Sequence, residues 1–436
     1  MVRRPGRAWV PTAHIALIAA VLPCVACNAN DLEPDTSRTA SVEQGTDRVA
    51  SLNGGTKASP APISALTLDS TASGQLVDRE LKDPLPAGPP GTFGFLDPFG
   101  SISRYGSQKI EPDFDIANLE SGEVYHFGNH MYVGKADRDD GQGYIGDFAM
   151  PQSDVIVWIS RHEVGELALD DYDVFSWDGK AQPVKIGHST VDVDGVSIAA
   201  PGNGNYLTVV GDSAWWVEGE LSDSGSTSYS SIYSAPLDGS TPQGVAVAGA
   251  RLPRADTCTT NATLSYVEDS TSSGSSPVVA TLKSATVTSG AAVNEATELW
   301  RASSPNLAID SADTCGEHWA VSYTDWAAGP DAEVHPSGVA IGGPDGEVYF
   351  ELPPKSTSAG SVTVTSFGTF FFDWGGIAYG QQYFYSFATK QLYYIGDGAS
   401  FGFTRVGARC AAMASETPSS PGAAAPDYTL RLACTP

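Results

Sequence analysis

The tetrapeptide Ala255-Asp-Thr-Cys258 recurs as Ala312-Asp-Thr-Cys315, 57 positions later, and a strand-like run follows each copy within a few residues. A repeated unit of that length constrains the fold more than any other feature of the chain. Moving about fifty residues in either direction reaches comparable hairpin signals near Pro201-Gly-Asn-Gly-Asn205, near Phe367-Gly368 and from Gly407 to Cys410. Between them, short runs of β-branched and aromatic residues, such as Asp154-Val-Ile-Val-Trp-Ile-Ser160 and Gln382-Tyr-Phe-Tyr-Ser386, alternate with turns rich in Gly, Asp, Asn, Ser and Pro. Helical periodicity is almost absent, so the reading is all-β. Turns such as Trp177-Asp-Gly179, Leu237-Asp-Gly239 and Pro344-Asp-Gly346 supply the positive φ angles that tight hairpins need.

Each unit holds about four strands, and four-stranded units at this spacing predict a β-propeller. Units starting near Tyr144, Val196, Arg251, Asn306, Ser361 and Phe403 make six blades. The sixth is incomplete at the C-terminus and needs an N-terminal strand to close it, which the pattern places within Gly122-Glu-Val-Tyr-His-Phe127. Seven blades or a pair of β-sandwiches are the alternatives.

At the N-terminus, Arg3, Arg4 and Arg7 precede an apolar run from His14 to Leu22 that closes in Val25-Ala26-Cys27. This has the three parts of an export signal, and its apolar core is too short for a stable membrane span. It resembles bacterial lipoprotein signals, which implies removal of residues 1–26 and lipid on Cys27. Pro23 before Cys24 makes Cys24 the poorer acceptor. Cys24 also stands where such signals usually carry Leu, so plain secretion with cleavage near Ala29 is the other reading. Residues 27–90, rich in Ser, Thr, Gly, Ala, Pro and Asp, read as a flexible tether with a reach of about 40–45 Å. Residues 91–121 read as transitional and 122–436 as the propeller.

The 436 residues, with 41% apolar and 10% aromatic content, suffice for a large core. The net charge is −27, and loss of the three signal arginines takes it to −30. Phosphate backbones and anionic lipid repel such a polyanion, which excludes nucleic-acid binding and favours a basic partner or cations. With Cys24 and Cys27 assigned to the signal, Cys258, Cys315, Cys410 and Cys434 remain, an even number in an oxidising compartment. In the propeller reading Cys410 and Cys434 lie opposite each other on antiparallel strands, while Cys258 and Cys315 occupy equivalent hairpins of adjacent blades. That pairing is one of three possible.

The turn Tyr233-Ser-Ala-Pro-Leu-Asp-Gly239 and the blade spacing resemble the six-bladed TolB-like propellers. The resemblance implies a disc whose loops and central channel bind proteins or small ligands; the fold itself names no ligand.

Motifs that carry chemistry are few. His162-Glu-Val-Gly-Glu166 starts like a zinc-protease helix but has Glu where the second histidine must stand. Asp137, Asp139 and Asp140 have the oxygen density calcium favours, although the EF-hand frame fails at its fifth and twelfth positions, so an acidic loop is the first reading and no cofactor is expected. Ser311-Ala-Asp-Thr-Cys-Gly-Glu-His-Trp319 is similar to the Asp-box turn of sialidase-type propellers, with one residue too many before the glycine; such a turn is a folding element. Most aromatics, including Trp215, Trp216 and Phe370 to Phe372, are expected between blades. Trp326 and Trp374, at predicted loop ends, are candidates for a recognition surface. The sequence thus points to a monomeric, lipid-anchored extracytoplasmic binding or scaffolding protein. The competing class is an extracytoplasmic enzyme, such as a glycan hydrolase or lyase with paired channel carboxylates.

Overall fold

The computed structural model describes residues 51–63, 77–80, 115–117, 124–126, 143–152, 155–164, 169–177, 183–189, 198–199, 207–221, 227–269, 279–288, 291–329, 332–355, 360–374, 379–406, 410–417 and 427–434. Its regular structure is overwhelmingly β, arranged as consecutive antiparallel sheets in chain order. The first sheet comprises Gly143–Gln152, Val155–Val164, Leu169–Trp177 and Val184–His188. The second has Leu207–Val210, preceded by Ile198–Ala199 on the same neighbour, then Ser213–Leu221, Thr227–Pro236 and Gly244–Ala248. The third runs Ala250–Ala255, Thr263–Glu268, Thr281–Thr286 and Thr297–Arg301. The fourth runs Leu307–Cys315, His318–Asp325, His335–Gly343 and Gly346–Lys355. The fifth opens with Val362–Val364, Gly368–Trp374 and Tyr379–Ser386. Its fourth strand, Gln391–Val406, continues past a register shift to pair with Cys410–Thr417 and then Asp427–Cys434.

The sheets stack face to face in chain order, which is the arrangement of a β-propeller. Trp216 packs with Val157, Tyr172 and Ile186 of the first sheet, whereas its neighbour Trp215 faces Leu264 and Tyr266 of the third. Val321 joins the core shared with the third sheet, and Ala320 that shared with the fifth. Both faces of these strands are therefore buried, which explains why their sequences read as continuous apolar runs rather than clean alternation. The first strands of successive sheets approach one another and form the inner ring. Polar side chains clamp that ring. Thr208 Oγ1 accepts from Ala255 N at 3.1 Å, Asp256 Oδ2 from Gly316 N at 2.8 Å, Ser311 Oγ from Val362 N at 3.2 Å and Asp313 Oδ2 from Val364 N at 2.8 Å. The aspartates of the two Ala-Asp-Thr-Cys copies thus do the same job, each holding the backbone of the next sheet. Hydrogen bonds to a charged acceptor are worth about 1.5–3 kcal/mol each.

Cys258 and Cys315 form a disulfide across the third and fourth sheets, as the repeat predicted. Cys434 is disulfide-bonded, and the strand register sets it opposite Cys410.

Two expectations need correction. An N-terminal strand does complete the last sheet, but it is Val77–Glu80, which pairs antiparallel with Asp427–Cys434. Val124–His126 instead pairs with Asp115–Ala117. The stretch read as a tether also contains docked chain: Ser51–Leu52 pairs with the fifth sheet and Ala61–Pro62 with the fourth, and Ile63 is buried between them. The unpaired edge of an outer strand supplies the partner that a short, weakly apolar segment cannot find locally.

Candidate functional site

In an antiparallel four-stranded sheet the second and third strands join at one end, and the first and second, like the third and fourth, at the other. On the fourth sheet, residues 326–329, which follow the second strand, are built rather than loose. Asp325 Oδ1 accepts from Ala327 N at 3.0 Å, and Trp326 N donates to Asn306 O at 2.9 Å. Gly329 N donates to Trp326 O at 2.9 Å, and Gly329 has the positive φ, 88°, that this turn requires. The half-buried Trp326 indole rests on His335, with ring centroids 4.1 Å apart at 42°. Ala327, Ala328, Val334 and Pro336 are exposed around it, and Val334 at 51% is among the most exposed large apolar side chains described. His335 is fully buried, and neither ring nitrogen has a hydrogen-bond partner. Leaving buried polar atoms unpaired costs on the order of 1–3 kcal/mol each, a cost concentrated directly beneath the presented indole.

Trp374 closes the second strand of the fifth sheet, so its backbone lies at the equivalent position one sheet on. Trp326 was legible as a loop-end aromatic. His335 was missed, because a lone histidine before Pro336 gives no signal of burial in sequence.

Lower on the inner ring, Asp310 is the extra residue of a bulge between Ile309 and Ser311. Its Oδ2 accepts from Thr324 Oγ1 at 2.6 Å. An inner-strand bulge in the third sheet falls between Arg251 and Arg254, where Leu252 takes a φ of 54°. Arg251 pairs with Asp269 and donates to Ile309 O at 2.7 Å, so a cation lies one residue from Asp310. Bulges re-aim side chains and recur beside active sites.

The opposite end carries a second cluster. Lys390 Nζ donates to Asp345 Oδ2 at 2.6 Å, joining turns of the fifth and fourth sheets and holding the Asp345 carboxyl below its usual range. His318 stacks on Phe387 at 3.8 Å, in space left by the missing Cβ of Gly343. Burial first, and the Lys390 cation second, lower the His318 pKa below its usual 6.5. The neutral ring is thus the folded form, and its contribution is present above about pH 6.5 and lost as pH falls through the depressed folded value. The melting temperature is expected to fall more steeply below pH 6.5 in the wild type than in His318→Gln, measured by a thermal scan across pH.

Among the described residues the carboxyls with shifted titration, Asp238, Glu298 and Asp345, are shifted downward by hydrogen-bond donors or cations and sit on the surface. Asp238 is lowered by hydrogen bonds from Ser240, and Glu298 and Asp345 by their cationic partners Arg301 and Lys390, none of which is the raised pKa of a general acid. Among the described residues no group of three or more His, Cys, Asp or Glu side chains is placed to hold a metal ion. The calcium candidates Asp137, Asp139 and Asp140, and the lipidation candidate Cys27, lie outside the described residues. His162, Glu163 and Val164 of the protease-like motif lie in a strand, Val155–Val164, paired on both sides, and not in a helix.

No family model matches the chain, and no curated protein matches it. Solved structures similar to it include an α-L-arabinofuranosidase from Fusarium graminearum, at 8% identity over 64% of this chain and 89% of that one, with a TM-score of 0.35. A sialidase from Trypanosoma rangeli is 8% identical over 74% of this chain and 56% of that one, at 0.31. A eukaryotic initiation factor is 8% identical over 89% and 98%, at 0.33. At these values the likeness carries no activity across.

Proposed function

We propose that the chain is a lipid-anchored extracytoplasmic binding protein that presents the Trp326 loop to a protein partner. The carrying observation is the Trp326 indole, fixed by a hydrogen-bonded loop and supported on buried His335 while its apolar surroundings stay exposed. Rigid, partly exposed aromatics of this kind are typical interface anchors, and truncating one costs about 2 kcal/mol or more, or roughly thirtyfold in affinity. The acidic surface favours a basic partner face.

A photo-crosslinking residue in place of Ala327 is expected to capture one discrete partner in the native envelope. The same residue in place of Asp345, at the other end, captures none. Trp326→Ala is expected to lower the Ala327-site yield at least tenfold; an unchanged yield sinks the reading. Intact mass of the membrane-extracted protein tests lipid on Cys27.

The second reading is an extracytoplasmic propeller enzyme such as a glycan hydrolase or lyase, and Asp310 is the observation on its side. Turnover of a panel of aryl glycosides, abolished by Asp310→Asn without loss of fold, supports that reading and displaces the first.

A further inference from the structure

Residues 51–63 cross the outer strands of three sheets. Ser51 and Leu52 pair with Tyr393 and Leu392 in the fourth strand of the fifth sheet. Gly55 and the outer strand of the fourth sheet exchange two backbone bonds, Gly55 N to Tyr349 O at 2.9 Å and Tyr349 N to Gly55 O at 3.1 Å. A tight turn follows, with reciprocal 3.0 Å bonds between Thr56 and Ser59, and Ala61 and Pro62 then run parallel to Phe350 and Glu351. From the turn, Lys57 reaches the third sheet, donating to Arg301 O at 2.8 Å and lying 5.2 Å over the Trp300 ring. Ile63 ends the crossing, 2% exposed in the core between the fourth and fifth sheets. The path demands glycine. A Cβ on Gly54 would lie 2.5 Å from Val348 Cβ, and one on Gly55 would lie 2.3 Å from Ser59 O.

We infer that residues 51–63 are a rim clasp, which ties the exported N-terminal segment to the outer strands of the third, fourth and fifth sheets. Taken with the lipid-anchor reading on which this step rests, the clasp fixes how the domain meets the membrane. The disc is held by its rim, so both loop ends, including the one that carries Trp326, stay clear of the bilayer. The clasp also covers strand edges that would otherwise pair with a second chain.

Hydrogen exchange on the full-length protein in solution tests the clasp without reference to lipid. The Gly55 and Tyr349 amides are expected to be protected in the wild type, to lose at least tenfold protection in Gly54→Val, and to lose less in Lys57→Ala, which retains every backbone pairing. Exchange of the wild-type Gly55 amide at the unprotected chain rate overturns the clasp. Energy transfer from labels at Glu333 and Asp345, at opposite ends of the fourth sheet, to dye-bearing lipids in vesicles carrying the lipidated protein tests the orientation. Similar distances are expected, and one end much closer than the other overturns rim attachment. Vesicle binding unaltered by Cys27→Ser would remove the anchor reading and leave the exchange result standing.

Discussion

Replacing the Cys258–Cys315 disulfide by Cys258→Ser/Cys315→Ser is expected to lower the unfolding free energy by about 4 kcal/mol, the chain-entropy value for a closed loop of 57 residues. For a body of this size that corresponds to a fall in melting temperature of roughly 6 °C. The double variant isolates this bridge, whereas a reductant would also open the disulfide at Cys434. The bridge joins the third sheet to the fourth where Asp256 already clamps both sides, accepting from Cys258 N at 2.9 Å and from Gly316 N at 2.8 Å. That polar clamp survives the substitution, so the native inter-sheet geometry should persist and the loss should fall on the unfolded state. Denaturant unfolding checks the division: the midpoint should drop, and the slope should rise as the unlinked unfolded chain expands. A loss under 1 kcal/mol would mean that Asp256 and the apolar core between these sheets already fix their spacing unaided.

The same pair of cysteines shows how far the sequence could be read. The repeated tetrapeptide revealed the unit length because its aspartates do one mechanical job in two consecutive sheets, holding the backbone N–H groups of Gly316 and Val364. Predicted unit starts at Tyr144, Arg251, Asn306 and Ser361 fall within one residue of the first strands at Gly143, Ala250, Leu307 and Val362, since in the sequence each follows a glycine or a run of small polar residues. The closing strand was misplaced for a reason of equal weight. Val77-Asp-Arg-Glu80 has one apolar side chain and no alternation, while Gly122 to Phe127 has Val124, Tyr125 and Phe127, the last two alternating about His126. Val77–Glu80 becomes a strand only because Asp427–Cys434 offers it an edge. Ser51–Leu52 and Ala61–Pro62 were hidden in the same way. Trp326 was visible as a type of residue in a type of place; the buried histidine beneath it was not, because burial of His335 is decided by packing against that indole.

Trp216→Ala is expected to cost about 4–5 kcal/mol, at the upper end of the range for large core truncations. The indole is fully buried between the first and second sheets, and glycine at 187 makes room for it: a Cβ there would stand 2.5 Å from the ring. Its Nε1 donates to Tyr172 Oη at 3.1 Å, and Tyr172 in turn donates to Glu218 Oε2 at 2.5 Å. Trp216→Phe keeps most of the volume and leaves the Tyr172–Glu218 bond intact, so about half that loss is expected. A second relay of the same composition links the third and fourth sheets, where Trp300 Nε1 donates to Tyr349 Oη at 3.2 Å and Tyr349 donates to Glu347 Oε2 at 2.5 Å. In both relays burial, followed by the neighbouring carboxylate, pushes the tyrosine pKa above 10, and burial with nearby charge brings Tyr266 and Tyr323 to about 12. A phenol whose folded pKa is raised gives stability that is whole below its unfolded value of about 10 and is lost as pH rises through the folded value. The domain should therefore hold its midpoint up to about pH 10 and weaken steadily towards pH 12 in denaturant titrations. Tyr172→Phe should weaken less steeply over that window, although it starts lower, because Glu218 then loses a buried donor. Parallel slopes for the two proteins would mean that the first relay contributes nothing to alkaline unfolding and that the junction between the third and fourth sheets opens first.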